Sequence, residues 1–563
     1  MSHAQLLSRP LLAGFTATLL FSLSACNISP QDAEPSAQKS SSVPEIVADA
    51  ASPRSALVRQ APMPVAAYAA MPAMEMAAPV YREPSREQYQ KQDENPVHAV
   101  AQSPVSTFSI DVDTGSYSNV RRFLNQGQLP PKDAVRLEEM VNYFPYAYAL
   151  PKGDVPFGIQ TDLTSTPWNS QSRLLRIAIK ASDVQSAELP AANLVFLVDV
   201  SGSMDRKDGL PLVQATLKLL VDQLRAEDKV SLVTYAGTSQ VVLEPTSGGE
   251  KAKIRAAIDR LTASGSTAGE SGIQLAYQQA EQGFIKNGIN RILLATDGDF
   301  NVGISDFDTL KSLAADKRKT GVSLTTLGFG TDNYNEQLME QLADAGDGNY
   351  AYIDNLREAR KVLVDQLSST LATVASDVKI QVEFNPAEVS EYRLLGYENR
   401  ALKREDFSND KVDAGEIGAG HTVTALYELI PAGNKGWLEP LRYQTAGKPS
   451  GKSGEIAWLR IRYKTVGQSN SKLLEQPIAA GSEKPIEQAS EDLRFATAIA
   501  AFAQQLKGGT YTGTFSLADS VEMARKAKGD DHFGLRAEFV QLAELAQSLQ
   551  TENSRSTPAR GQQ

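Results

Sequence analysis

The chain has 563 residues, with 67 Asp and Glu against 56 Lys and Arg, a formal net charge of -11 and a single cysteine, Cys26. That length exceeds what one hydrophobic core serves, so roughly three or four domains are expected. The acidic balance argues against nucleic acid, which is bound by basic surfaces, and one cysteine excludes disulfides within the chain and any thiolate metal site.

Residues 1–25 read as a signal peptide: Arg9 precedes a largely apolar run over 11–23 that is too short for an ordinary transmembrane helix. The run ends in Leu23-Ser24-Ala25-Cys26, which resembles the bacterial lipobox. The resemblance implies cleavage before Cys26, lipidation of its thiol and anchoring in the cell envelope, since proteins of this type resemble doubly or triply acylated anchors and one acyl chain alone holds only marginally. Asn27 follows in place of the Asp that favours the inner membrane, so the outer membrane is preferred. Residues 26–102 are rich in Ala, Pro, Ser, Met and Gln without sustained periodicity, and read as a disordered tether. Its roughly 75 residues would reach roughly 50 Å.

Order is expected from about Thr107, in a block spanning 103–155. Asp111-Val112-Asp113-Thr114 imitates a phosphatase nucleophile motif, and Asp113-Thr114-Gly115-Ser116 imitates an aspartic protease. The protease needs a second carboxylate to share a proton, and no second motif exists. The phosphatase needs later lysine and acidic motifs, for which Asp530-Asp531 is the one acidic pair to name. The stretch reads instead as a strand end and turn, followed by helices over 118–125 and 132–143. Alternating residues at 157–164 and 173–181 give two half-buried strands in a 156–190 segment. Strands at 378–384, 392–397, 422–429 and 456–463 follow in a 375–470 segment. The two segments are expected to form one β-sandwich, with residues 191–374 inserted between them.

The insert opens with an unbroken apolar run, 194–198, which suits a strand buried on both faces of a parallel sheet. A helix over 210–224, strands at 229–235 and 240–243, and helices at 254–261 and 273–284 come next. Strands at 292–296 and 322–328, a helix over 338–345, an edge strand at 350–353 and a closing helix over 359–371 complete it. The alternation predicts an α/β doubly wound, Rossmann-like sheet, and such sheets bind ligands beyond the carboxyl ends of their strands. Asp199, Ser201 and Ser203 emerge there in DVSGS, Thr267 lies in ASGSTAGESG, and Asp297 ends a second buried run in RILLATDGD.

Those three pieces resemble the metal-ion-dependent adhesion site of von Willebrand factor type A (VWA) domains, over roughly 193–374. The donors are hard oxygens with two carboxylates and no His or Cys, which suits one Mg²⁺ or Mn²⁺ better than Zn²⁺ or Cu²⁺. The resemblance implies that serines and threonine bind the metal directly when a ligand is present, while the aspartates often act through water. An Asp or Glu of a partner would then complete the coordination.

Ala446 to Ser453, AGKPSGKS, is a relaxed Walker A string, but a strand pattern follows where a helix must open, so no nucleotide is expected. Residues 471–551 read as a helical domain with helices over 491–506, 516–528 and 535–549, and 552–563 as a disordered tail. The 103–155 block and this helical end resemble modules that accompany VWA domains in bacterial lipoproteins. The expected function is an envelope lipoprotein that binds an acidic residue of another envelope protein through its metal. Rival readings are a structural envelope protein whose metal only stabilises the loop, and a metal-assisted hydrolase. His3, His98, His421 and His532 have no evident Ser or Cys partner, so no enzyme is expected.

Overall fold

The computed structural model describes residues 87–110, 113–185, 188–266, 269–298, 307–331, 334–439, 441–442 and 454–556. The signal peptide, Cys26, most of the tether, Thr267, and the Walker-like string lie outside the described residues.

Strand Ala192–Asp199 is central in a six-stranded sheet whose order is Tyr350–Tyr352, Ser323–Gly328, Ile289–Thr296, Ala192–Asp199, Lys229–Tyr235, Ser239–Ser247. All pairs are parallel except the last, a hairpin. The apolar run is unbroken because the strand serves two cores. Leu194, Phe196 and Val198 pack under helices Leu210–Gln223 and Lys251–Asp259. Val195 and Leu197 pack under helices Gly269–Gln282 and Glu336–Ala345. Helix Phe307–Arg318 also covers this second face; it buries only Leu310 and Ala314, too few apolar positions to set a readable period. The expected closing helix is broken into Leu356–Arg360, a π-helical turn Lys361–Asp365, and Leu367–Leu371.

Strands from both sides of this insert share sheets. Asn169–Ala181 pairs antiparallel with Phe157–Thr166 on one side and with Thr422–Pro431 on the other. A second sheet is built on Thr373–Phe384, paired with Glu455–Thr465, Val105–Ser109 and Ile417–Gly418. Ile177, Ile179, Val423 and Tyr427 of the first sheet and Ile380, Val382, Leu459 and Ile461 of the second join one apolar cluster.

Four expectations need correction. Order begins earlier than residue 102: Glu87 pairs with Arg122, and strand His98–Ala99 pairs with Val389–Leu395. These are isolated polar anchors and a two-residue strand, which leave no hydrophobic period. The expected helix over 132–143 is a 3₁₀ turn, Lys132–Ala134, and a short helix, Leu137–Asn142. The boundary at 470 falls inside the sheet region, because Lys472–Ala479 pairs with Glu455–Thr465 and helix begins only at Glu491–Lys507. Its mostly exposed edge position, with Pro477 inside it, hides the alternation. Finally, helix Leu535–Ser556 runs into the segment read as a tail.

The 103–155 block does not form a core alone. Its Tyr117, Val120, Met140 and Phe144 join Phe495, Ile499, Phe502, Val521 and Phe539 of the last helices in one cluster. Those helices are cleanly delimited: Ser516 and Asp519 close a capping box before Leu517–Lys526, and Gly508 ends Glu491–Lys507 with φ +127.

Candidate metal centre

Asp199 is the last residue of the central strand and Asp297 follows the end of the neighbouring strand Ile289–Thr296; both are buried. The sheet therefore delivers two carboxylates side by side at its carboxyl edge. Asp199 Oδ1 accepts from the Ser201 backbone N–H at 2.9 Å, and Oδ2 accepts from Thr296 Oγ at 2.9 Å. These donors are neutral. Burial first, and the negative charge of Asp297 next, push the Asp199 carboxyl up to about 6, against the pull of its hydrogen bonds. A cation between the carboxylates would relieve both causes.

A 3₁₀ turn, Gly202–Met204, follows the strand and folds the loop back, bringing Ser201 Oγ within 3.0 Å of Ser203 Oγ. Ser201 is buried and Ser203 half-buried. The loop is tied to the one that leads to Thr267: Gly202 N–H donates to Gly265 O at 3.0 Å, and Ser264 N–H to Val200 O at 2.7 Å. Thr267 itself lies outside the described residues; helix Gly269–Gln282 starts two residues later. The structure thus brings together Asp199, Ser201, Ser203 and Asp297 of the five expected ligands.

Sequence reading missed three supports. Thr296 bridges the two carboxylate strands, donating to Asp199 and accepting from Gly298 N–H at 3.1 Å. Tyr235 is the register partner of Asp199, and its buried hydroxyl lies within reach of Asp199 and Thr296. Burial and then the Asp199 charge push its pKa well up, keeping it a neutral phenol. Asn335 caps helix Glu336–Ala345, accepting from Leu338 N–H at 3.1 Å, and its backbone N lies 2.9 Å from where a Cβ on Gly298 would stand. Gly298 also has φ +79, so only glycine suits this turn. The sheet register would have suggested Tyr235; nothing in the sequence announces Asn335.

The donor set fits a hard divalent cation: carboxylates and hydroxyls, two negative charges, and neutral hydrogen bonds holding Asp199 in place. A separate acidic group, Asp347, Asp413 and Glu416, lies between the insert and the second sheet, where Arg318 bridges Asp347 and Asp413. The false-friend Asp113 is structural: its carboxylate accepts from Tyr350 N–H at 2.8 Å and from Arg400 at 3.1 Å. Among the described residues no helix is long and apolar enough to cross a membrane.

Three family profiles match the chain: von Willebrand factor type A domain over 193–366, von Willebrand factor over 83–176, and the C-terminal region of uncharacterized protein YfbK over 369–549. The uncharacterized protein YfbK of Escherichia coli is 52% identical over 475 residues, covering 83% of this chain and 82% of the relative. The uncharacterized protein sll0103 of Synechocystis is 36% identical over 194 residues, covering 34% of this chain and 44% of the relative. A solved structure described as von Willebrand factor type A from Catenulispora acidiphila is 16% identical, covering 68% of this chain and 89% of that one with a TM-score of 0.39.

Proposed function

The chain belongs to the family of the uncharacterized protein YfbK and carries a VWA domain, and from this we propose that it is a lipid-anchored envelope protein that binds another protein through a divalent metal. Asp199, Ser201, Ser203, Thr267 and Asp297 would hold one Mg²⁺ or Mn²⁺. The partner would supply an Asp or Glu carboxylate. The bound metal would provide an electrophilic coordination position; this chain's own residues orient it. The observation that carries the reading is the pair of buried carboxylates, with Asp199 pushed up to about 6 partly by its neighbour. Charge-assisted contacts are roughly twice as strong as neutral ones, so a carboxylate partner is favoured over an amide or hydroxyl.

Cys26 would carry the lipid, with the outer membrane the preferred site. To test the function, a partner is first identified by crosslinking in the envelope. Its binding to the wild type should vanish with EDTA and return with Mg²⁺ or Mn²⁺. Ser201→Ala/Ser203→Ala should abolish binding while circular dichroism shows an intact fold. Equal binding with EDTA present would move the function to the sheet or helical surfaces, leaving the metal at most a brace for its loop.

A further inference from the structure

Where the flanking sheets, the end of the VWA domain and the helical core meet, the surface encloses a cavity of about 470 Å³. That volume lies within the range of small-molecule sites, which concentrate at domain junctions. Several parts of the protein contribute to the wall: Phe144 and Tyr146 from the first helical block, Lys180 from a flanking strand, Arg360 and Lys361 from the VWA end, and Phe533 from the turn between the last two helices. It shares no residue with the metal loop. We propose that this cavity binds a small organic anion, a carboxylate or phosphate monoester carried on an apolar or ring-shaped body.

Charge is the first argument. The wall holds four basic side chains, Lys180, Arg357, Arg360 and Lys361, against two carboxylates, Asp183 and Asp365. Lys180 and Arg360 are paired with those two acids at 3.3 and 3.7 Å. The acid partners of the other two cations are Glu538, 3.1 Å from Arg357, and Glu358, 3.4 Å from Lys361. Neither lines the cavity, and both are also engaged by Arg121, at 3.1 and 2.8 Å. The face turned to the cavity is therefore net positive.

Lys361 supplies the second argument. It is 4% exposed, and its ammonium lies 3.6 Å from the centre of the Tyr143 ring. Burial lowers its pKa, with Glu358 opposing. A desolvated ammonium whose paired carboxylate, Glu358, is shared with Arg121 gains from a further anion. Lys361 also opens the π-helical turn Lys361–Asp365, and such turns are frequent at functional sites. Finally, Phe144, Tyr146 and the 53% exposed Phe533 give the ligand's body an apolar wall beside the charges.

Calorimetry with phenyl phosphate, inorganic phosphate and benzyl alcohol at matched ionic strength tests this. Phenyl phosphate should bind, inorganic phosphate more weakly, and benzyl alcohol should give no signal. Lys180→Gln/Arg360→Gln removes two cations at the rim and should weaken phenyl phosphate roughly tenfold or more. Lys361→Met should do the same, with circular dichroism reporting its fold. Phenyl phosphate heats no larger than those of benzyl alcohol, or unchanged affinity in the rim variant, would overturn the site. Equal affinity for inorganic and phenyl phosphate would overturn the apolar half of the assignment.

Discussion

Arg121→Met should destabilise the fold by about 3 kcal/mol, the lower end of the range for removing one partner of a buried ion pair. Arg121 lies on helix Gly115–Asn125 and is 1% exposed. Its guanidinium pairs with Asp354, with Glu358 at 2.8 Å and with Glu538 at 3.1 Å. The losses are unequal. Glu538 keeps Arg357 at 3.1 Å, and Glu358 keeps Lys361 at 3.4 Å and the Tyr143 hydroxyl at 2.6 Å. Asp354 has no second ion pair among the described residues, so most of the cost sits there. Urea unfolding of the purified protein measures the difference, and adding Asp354→Asn to Arg121→Met should recover part of it.

The acid limb gives an independent check. Burial already raises the Asp354 pKa, with Arg121 pulling it down, so loss of Arg121 lifts it further. A carboxyl whose folded pKa exceeds its unfolded value favours the folded state as pH falls. Glu358 is held below its ordinary value, with Lys361 and Arg121 outweighing its burial; its contribution to the wild type is lost as pH falls through that lowered pKa. Both effects narrow the gap between wild type and Arg121→Met in acid: the raised Asp354 acts above the ordinary carboxylate range, and the lowered Glu358 only below it. A deficit under about 1 kcal/mol, the size of a surface pair, or one that widens in acid, would refute the reasoning.

Cys26→Ser should abolish radiolabelled palmitate incorporation and lipoprotein-type signal cleavage; incorporation that survives would falsify the anchor. Gly298→Ala forces a Cβ to 2.9 Å from Asn335 N at φ +79, so it should cost about 1–3 kcal/mol in unfolding and weaken Mg²⁺ binding. Unchanged calorimetric affinity would remove Gly298 from the metal loop's support.

What the sequence disclosed follows the physics of burial. Strand Ala192–Asp199 was legible because burial on both faces demands an unbroken apolar run, and Asp199 because a charge ending such a run is conspicuous. The flanking strands were legible as alternation, although their ends differed by up to five residues, short at Thr373–Phe384 and overrunning at Val389–Leu395. Edge elements were not, because His98–Ala99 and Lys472–Ala479 bury too little to leave a period. The supports of the metal loop were the least legible. Tyr235 and Asn335 reach it through sheet register and a helix cap, which are relations in space between residues far apart in the chain. The arginine networks were invisible for the same reason: a buried Arg on an amphipathic helix reads as a surface charge until its partners are placed.

Those networks bear on whether the VWA segment is an independent unit. It has cores of its own, but its acidic residues are balanced from outside it. Glu340 lies 3.0 Å from Arg136 and 3.1 Å from Arg400, which also reaches Asp344 at 2.6 Å. Burial pushes Glu336 up to about 8 even with Arg136 beside it. The arginines come from the 103–155 block and from the segment after 374, and helix Gly115–Asn125 from that block packs on strand Tyr350–Tyr352. Residues 191–374 alone would therefore lose what fixes helix Glu336–Ala345 in place. That helix begins at Asn335, which packs on Gly298 of the metal loop. The isolated segment should fold yet bind Mg²⁺ more weakly than the longer chain, with faster amide exchange in Glu336–Ala345 and Tyr350–Tyr352. Equal exchange protection in the two proteins would show that the arginines do not hold the helix. Faster exchange with equal Mg²⁺ affinity would show that the helix does not hold the loop.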